Sequence, residues 1–328
     1  MTWSPYYRGD GVAREPDLPL PPPWRMPGND APEGVPYQPD PGLVDAVNAA
    51  LLLHRPLLLT GPAGSGKSTL IKHVAHEVGL GRELHWHITS RSTLTEALYR
   101  YDALGRIHAQ NLRNAAGPAR SRLAGRGRKQ RGDDIAPFLR LGPLGTAFAA
   151  VDRPRALLID EIDKSDLDLP SDLLDILERG RFEIPELSRH HRKRVPVRLH
   201  DDTETVDVVD GIVPCTLFPL IVMTSNGERD FPPPFRRRCI RYSMPVLTEE
   251  SLTGIVAAHL RPPGEDEDAE QLTTGVQELI AGFAGRLANG EHLAVDQLLN
   301  AVHLIRQPLQ GQQRKDLTDL LLQGLGRD

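Results

Sequence analysis

Between Gly61 and Ser68 the chain reads Gly-Pro-Ala-Gly-Ser-Gly-Lys-Ser, a glycine, four free positions and then Gly-Lys-Ser, which is the phosphate-binding loop pattern. The pattern constrains the fold as much as the ligand, because it functions only between a strand and a helix. Both neighbours qualify. Leu57-Leu58-Leu59-Thr60 is an apolar run suited to a buried strand, and Leu70, Ile71, Val74, Ala75 and Val78 recur at helical spacing after the loop. A glycine-rich turn in that setting aims backbone N–H groups inward, and the helix N-terminus adds partial positive charge, so a polyphosphate is held largely by main chain. The expected ligand is a nucleoside triphosphate, contacted by Gly61, Pro62, Ala63, Gly64, Ser65, Gly66, Lys67, Ser68 and Thr69. Lys67 would reach the outer phosphates, and the Ser68 hydroxyl would sit on Mg²⁺.

A second signal agrees with the first. Ala156-Leu157-Leu158-Ile159-Asp160-Glu161 reads as a buried parallel strand ending in two carboxylates. Ligands of open parallel sheets bind beyond the carboxyl ends of the strands, where both acids would fall. Asp160 is then a candidate for holding Mg²⁺, and Glu161 for polarising the water that attacks the γ-phosphate. No Asn-Lys-x-Asp run is present to read guanine.

The rest of the chain supplies context. Residues 1–41 are crowded with proline and read as a tail or an arm, either a disordered extension or an extended strap that docks on a neighbouring subunit with Trp3, Tyr6, Tyr7 and Trp24 as anchors. Leu84, Trp86 and Ile88 alternate with Glu83, His85 and His87, the mark of a half-buried strand. Its two histidines share a face, and without a third ligand nearby they read as solvated or hydrogen-bonded rather than metal-binding. Residues 91–112 look helical. Residues 113–131 carry seven basic residues and no acid, which suits a solvated loop or a patch for an acidic partner. Residues 181–210 read as a hairpin with the basic cluster Arg189–Arg194 at its tip. Leu220-Ile221-Val222-Met223-Thr224-Ser225-Asn226 is another buried strand ending in small polar residues, and Arg236, Arg237 and Arg238 follow. From Thr248 onward every apolar pattern is helical.

Composition closes off other classes. The formal net charge of −5 argues against a nucleic-acid binder over the whole surface, no run reaches the length of a membrane span, and the opening residues form no signal-peptide pattern. The expected location is the cytoplasm. Cys215 and Cys239 have no zinc-ligand spacing and are not expected to pair.

In this order the pieces resemble the AAA+ ATPases, and among them the MoxR-like group, over residues 43 to about 305. The carrying motifs are Gly61–Ser68 as Walker A, Leu157–Glu161 as Walker B continuing into Ile162-Asp163-Lys164, Thr224-Ser225-Asn226 as the sensor 1 strand end, and the Gly-Pro-Leu stretch at Gly142–Leu144. The segment Phe235–Cys239 is similar to the one bearing the arginine finger, with Arg238 aligning best and Arg237 second. The resemblance implies an α/β P-loop NTPase, a three-layer core with a five-stranded parallel sheet over residues 42–246, followed by a small all-helical lid over 247–328. It also implies an insert in helix 2 (113–131), a hairpin insert (181–210), catalytic roles for Glu161, Asn226, Arg238 and Arg237, Mg²⁺ on Ser68 and Asp160, and a ring of usually six subunits. The lid helix around Leu293–Leu298 shows no arginine where sensor 2 usually sits.

The expected activity is ATP hydrolysis coupled to remodelling or activating a partner protein; MoxR-like proteins often work beside von Willebrand A-domain proteins. A slow nucleotide-dependent switch or scaffold that recruits an effector is the first alternative. A nucleic-acid-associated translocase using the basic segments is the second, and no base-stacking motif favours it.

Overall fold

The computed structural model describes residues 39–62, 64–115, 135–200, 204–260, 273–291 and 293–306, with isolated positions at 13, 21, 22, 317, 318 and 321. Most of the proline-rich arm, Ala63, residues 116–134, 201–203 and 261–272, His292 and most of the last expected helix lie outside that set. The chain divides into two compact units. One comprises residues 39–60 and 67–242, and the other takes in 61–66 and everything from 243.

The larger unit begins with α1 (Pro41–Leu53), β1 (Leu57–Thr60), α2 (Lys67–Glu77) and β2 (Leu84–His87), then α3 (Leu94–Leu98), β3 (Tyr99–Tyr101) and α4 (Ala103–Ala115). After the undescribed stretch come β4 (Leu139–Leu141), α5 (Pro143–Phe148), β5 (Ala156–Asp160), α6 (Leu169–Arg179), β6 (Arg181–Glu183) and α7 (Pro185–Ser188). It continues through β7 (Arg194–Arg198), β8 (Thr205–Val209), β9 (Ile212–Pro214), β10 (Leu220–Ser225), α8 (Pro233–Arg238) and β11 (Ile240–Ser243).

Five strands make the main sheet in the order β11-β1-β10-β5-β2. β1, β10, β5 and β2 pair in parallel, with Leu58 opposite Met223 and Ile159 opposite both Met223 and Trp86. The burial explains the sequence runs. β10 is buried throughout, and β1 and β5 are buried up to their last residues, Thr60 and Asp160, as expected of strands covered on both faces. The edge strand β2 alternates instead, with Leu84 and Trp86 inward and His85 and His87 outward. This is the P-loop NTPase fold, and its parallel pairing brings the carboxyl ends of β1, β5 and β10 side by side.

A second sheet, ordered β3-β4-β7-β8-β9-β6, packs Phe182, Val195, Val197, Val208 and Val213 into the same core. It corrects two local expectations. The helix expected over 91–112 is broken by β3, because Tyr99–Tyr101 pairs antiparallel with Leu139–Leu141. The glycines of the Gly-Pro-Leu-Gly stretch let that backbone come close: a Cβ on Gly145 would collide with the Leu98 carbonyl oxygen. The hairpin is β7 with β8, in register from Arg194 opposite Val209 to Arg198 opposite Thr205. The basic cluster Arg189–Arg194 therefore leads into β7 at the open end, while the turn falls between Arg198 and Thr205.

The smaller unit holds α9 (Glu249–Leu260), α10 (Thr274–Ala288) and α11 (Val295–Arg306). They bury Leu252, Val256, Val276, Ile280, Phe283, Leu298 and Val302 against one another, which is what their helical apolar spacing requires. Both cysteines are free, and burial pushes the Cys215 thiol up to about 11 and the Cys239 thiol up to about 12. No helix among the described residues is long and apolar enough to cross a membrane.

Candidate nucleotide site

The local geometry at the glycine-rich loop follows from its composition. Gly64 and Gly66 take φ of 75° and 81°, left-handed values that side-chain-bearing residues avoid. Ser65 is buried, and its hydroxyl has no hydrogen-bond partner among the described residues. A buried hydroxyl left unpaired inside such a loop suits a polar ligand.

Beyond the loop, α2 starts at Lys67 and brings two side chains onto the strand ends. Lys67 is only 7% exposed, and its Nζ donates to Asn226 Oδ1 at 2.9 Å. Burial lowers its pKa, while Asp160, Asp163 and Glu161 work in the opposite direction and favour the ammonium. Ser68 Oγ donates to Asp160 Oδ1 at 3.0 Å, and Thr224 Oγ1 donates to the same oxygen at 2.5 Å. His85 Nε2 stands 3.6 Å from Asp160 Oδ2. Burial of Asp160 opposes ionisation, but His85, Thr224 and Ser68 together outweigh it and hold the carboxyl down to about 2.

That shift has a sign. A carboxyl lowered on folding stabilises the fold above its ordinary value near 4 and loses the contribution as pH falls toward the folded value. In urea titrations, the stability gap between the parent and Asp160→Asn should therefore narrow as pH drops from about 5 to about 2. A gap that stays constant over that window would show that Asp160 is not held ionised by these partners.

Glu161 directly follows β5 in a left-handed conformation, φ 59° and ψ 48°, which turns its side chain off the strand line. Its backbone N–H donates to Thr224 Oγ1 at 2.9 Å. One carboxylate oxygen faces Asn226 Nδ2 at 3.4 Å; the other takes Lys164 Nζ at 2.8 Å, with His87 Nε2 3.8 Å away. The bond to Glu161 raises the Lys164 pKa. Asn226 thus spans Lys67 and Glu161 with the two ends of one amide.

The structure brings Lys67, Ser68, Asp160, Glu161 and Asn226 together and leaves Arg237 and Arg238 apart. Arg238 is ion-paired with Glu178 of α6, and both line a pocket of about 270 Å³ with His54, Arg55, Pro56 and Phe218. Arg55 Nη1 donates to the Arg237 carbonyl oxygen at 3.3 Å. Arg55 and Pro56 precede β1 and Lys67 follows it, so the length of a strand, roughly 13 Å at about 3.3 Å per residue, separates the arginines from the cluster. Thr224 and Lys164 were named from the sequence only as parts of motifs; their contacts, and the carboxylate-facing roles of His85 and His87, escaped it. For the histidines the alternation in β2 gave a hint, by putting both on one face.

The donor set fits Mg²⁺. Ser68 and Asp160 offer hard oxygens, and no group of three or more His, Cys, Asp or Glu among the described residues could form an all-protein cage. A magnesium ion characteristically takes one or two carboxylates and completes its shell with substrate phosphates and water.

Residues 42–185, somewhat under half of the chain, match the family described as the AAA ATPase domain. No curated protein matches the chain. Among solved structures it is similar to NtrX from Brucella abortus in complex with ADP, at 14% identity and a TM-score of 0.44 over 86% of this chain and 52% of that one. The complex of NtrX with ATP gives 14% identity and a TM-score of 0.43 over the same shares. The chain thus spans about half the length of NtrX.

Proposed function

We propose that the chain is a cytoplasmic, ATP-hydrolysing AAA+ ATPase of the MoxR-like group, acting as a homo-oligomeric ring, of six subunits by resemblance, that remodels or activates a partner protein. A von Willebrand A-domain protein is the partner class the resemblance suggests. The observation that carries the ATPase reading is the convergence of Lys67, Ser68, Asp160, Glu161 and Asn226 on the ends of adjacent parallel strands, linked through Thr224 in a continuous chain of contacts of 3.4 Å or less.

The division of labour follows from the chemistry. Main-chain amides of the loop and the Lys67 ammonium bind the phosphates, and Lys67 exchanges its Asn226 contact for the outer phosphates when they arrive. Ser68 and Asp160 would hold Mg²⁺, which supplies neutralisation of charge on the β and γ oxygens. Glu161 orients a water and draws on its proton, and Asn226 fixes the direction in which that water and the γ-phosphate meet.

Lys67→Ala removes the one mobile positive charge on the outer phosphates. A charged hydrogen bond is worth about 1.5–3 kcal/mol, so ATP affinity should fall by at least an order of magnitude and turnover should vanish. Equilibrium binding of a fluorescent ATP analogue measures it. Affinity within a few-fold of the parent would remove the phosphate-loop assignment.

A further inference from the structure

We infer that Asp163 is the positioning residue that sets Asn226 against the reacting groups, an inference that rests on the ATPase reading above. Asp163 lies in the 3-10 turn Ile162–Lys164 after β5 and is 5% exposed. Its Oδ2 accepts two backbone N–H bonds from the segment that follows the neighbouring strand β10, from Asn226 at 3.0 Å and from Glu228 at 3.1 Å. Its Oδ1 is buried and has no hydrogen-bond partner among the described residues. A buried carboxylate is costly unless it is paired, and here the pairing goes to the main chain on both sides of one turn.

That turn carries Asn226. The chain leaves β10 at Ser225, and Gly227 bends it with φ of 79°. A glycine at a bend leaves the backbone free to pivot. Asp163 clamps residues 226 and 228, on either side of the pivot, and so fixes the Cα from which the Asn226 amide reaches Lys67 at one end and Glu161 at the other. Displacement of a catalytic contact by about 1 Å can cost on the order of a hundredfold in rate.

A second clasp separates this role from simple folding. Arg229 Nη1 donates to the Ser165 carbonyl oxygen at 2.8 Å, so the same two loops stay joined without Asp163. Loss of the carboxylate should therefore loosen Asn226 more than it loosens the fold.

The test is a double-variant cycle on kcat at saturating Mg-ATP, using the parent, Asn226→Ala, Asp163→Ala and the double variant, with nucleotide affinity measured alongside. Asn226→Ala should lower kcat on the order of a hundredfold, the cost of removing one polar group aimed at a transition state. Asp163→Ala should lower it on the order of tenfold with ATP affinity little changed, because residues acting as one unit couple strongly. The double variant should turn over at the rate of Asn226→Ala. Asp163→Asn, whose side-chain oxygen can accept both N–H bonds, should recover most of the loss. Asp163→Ser, which keeps one acceptor, carries the cycle if Asp163→Ala does not fold. A double variant slowed by the product of the two single losses, or Asp163→Ala at the parental rate, overturns the role of Asp163 and leaves the ATPase reading standing. Asn226→Ala at the parental rate, or a parent chain without turnover, overturns both.

Discussion

Arg238→Ala should bind ATP as the parent does and hydrolyse it about a thousandfold more slowly, the low end of what an arginine finger contributes. Arg238 ends α8 beside Glu178, Arg55 and Pro56, at the entry to β1, while the phosphate-binding residues stand at its exit. An arginine there cannot serve the nucleotide of its own subunit without crossing the length of the strand. In the proposed ring it faces the site of the next subunit, through a head-to-tail contact that closes when the rotation permits. Its present partner, Glu178, is half exposed and would be exchanged for phosphate oxygens. Turnover per subunit should then rise with protein concentration. Mixing Arg238→Ala with Lys67→Ala should restore part of the rate, since a Lys67→Ala subunit offers an intact finger to a neighbour whose own loop is sound. Concentration-independent turnover, with no rescue in mixtures shown to co-assemble, would favour a monomeric ATPase or a switch.

Glu161→Gln should keep ATP binding and lose turnover by a comparable or larger factor. The amide is nearly isosteric and can still face Asn226, but it neither takes up a proton nor polarises water as a carboxylate does. It also loses the charge that Lys164 pairs with at 2.8 Å. Lys164 is a partly exposed cation, so its release costs the fold little. Stability should therefore hardly change while hydrolysis collapses, a combination that a misfolded variant cannot mimic.

Which parts of this could be read from the sequence depends on how far apart the interacting residues lie. Elements set by local pattern were legible: the apolar runs of β1, β5 and β10, the alternation of β2 and the helical spacing of α9 to α11 all report burial that each segment needs for itself. β3 was not. Tyr99-Arg100-Tyr101 becomes a strand only because Leu139–Leu141, some forty positions on, pairs with it, and nothing in residues 91–112 alone opposes a continuous helix. The same distance hid Asp163 and Thr224. Their roles depend on β5 lying beside β10 with Leu157 opposite Ile221, a register that brings residues 160–163 level with 224–228. The phosphate loop could be recognised because eight consecutive residues carry its whole mechanism. The residues of the hydrolytic half, Asp160, Glu161 and Asn226, were also named from the sequence, but their contacts with Thr224, Asp163 and one another needed the sheet order.

Hydrolysis of ATP by this cluster, with Glu161 as the water-polarising group, is measured most directly by the identity of the nucleotide left on the protein. Parent and Glu161→Gln are each loaded with Mg-ATP, freed of unbound nucleotide after the same interval, denatured, and the released nucleotide is resolved by chromatography. The parent should yield ADP and Glu161→Gln should yield ATP, both at near-stoichiometric occupancy. ADP recovered equally from both, at equal rates, would contradict the account.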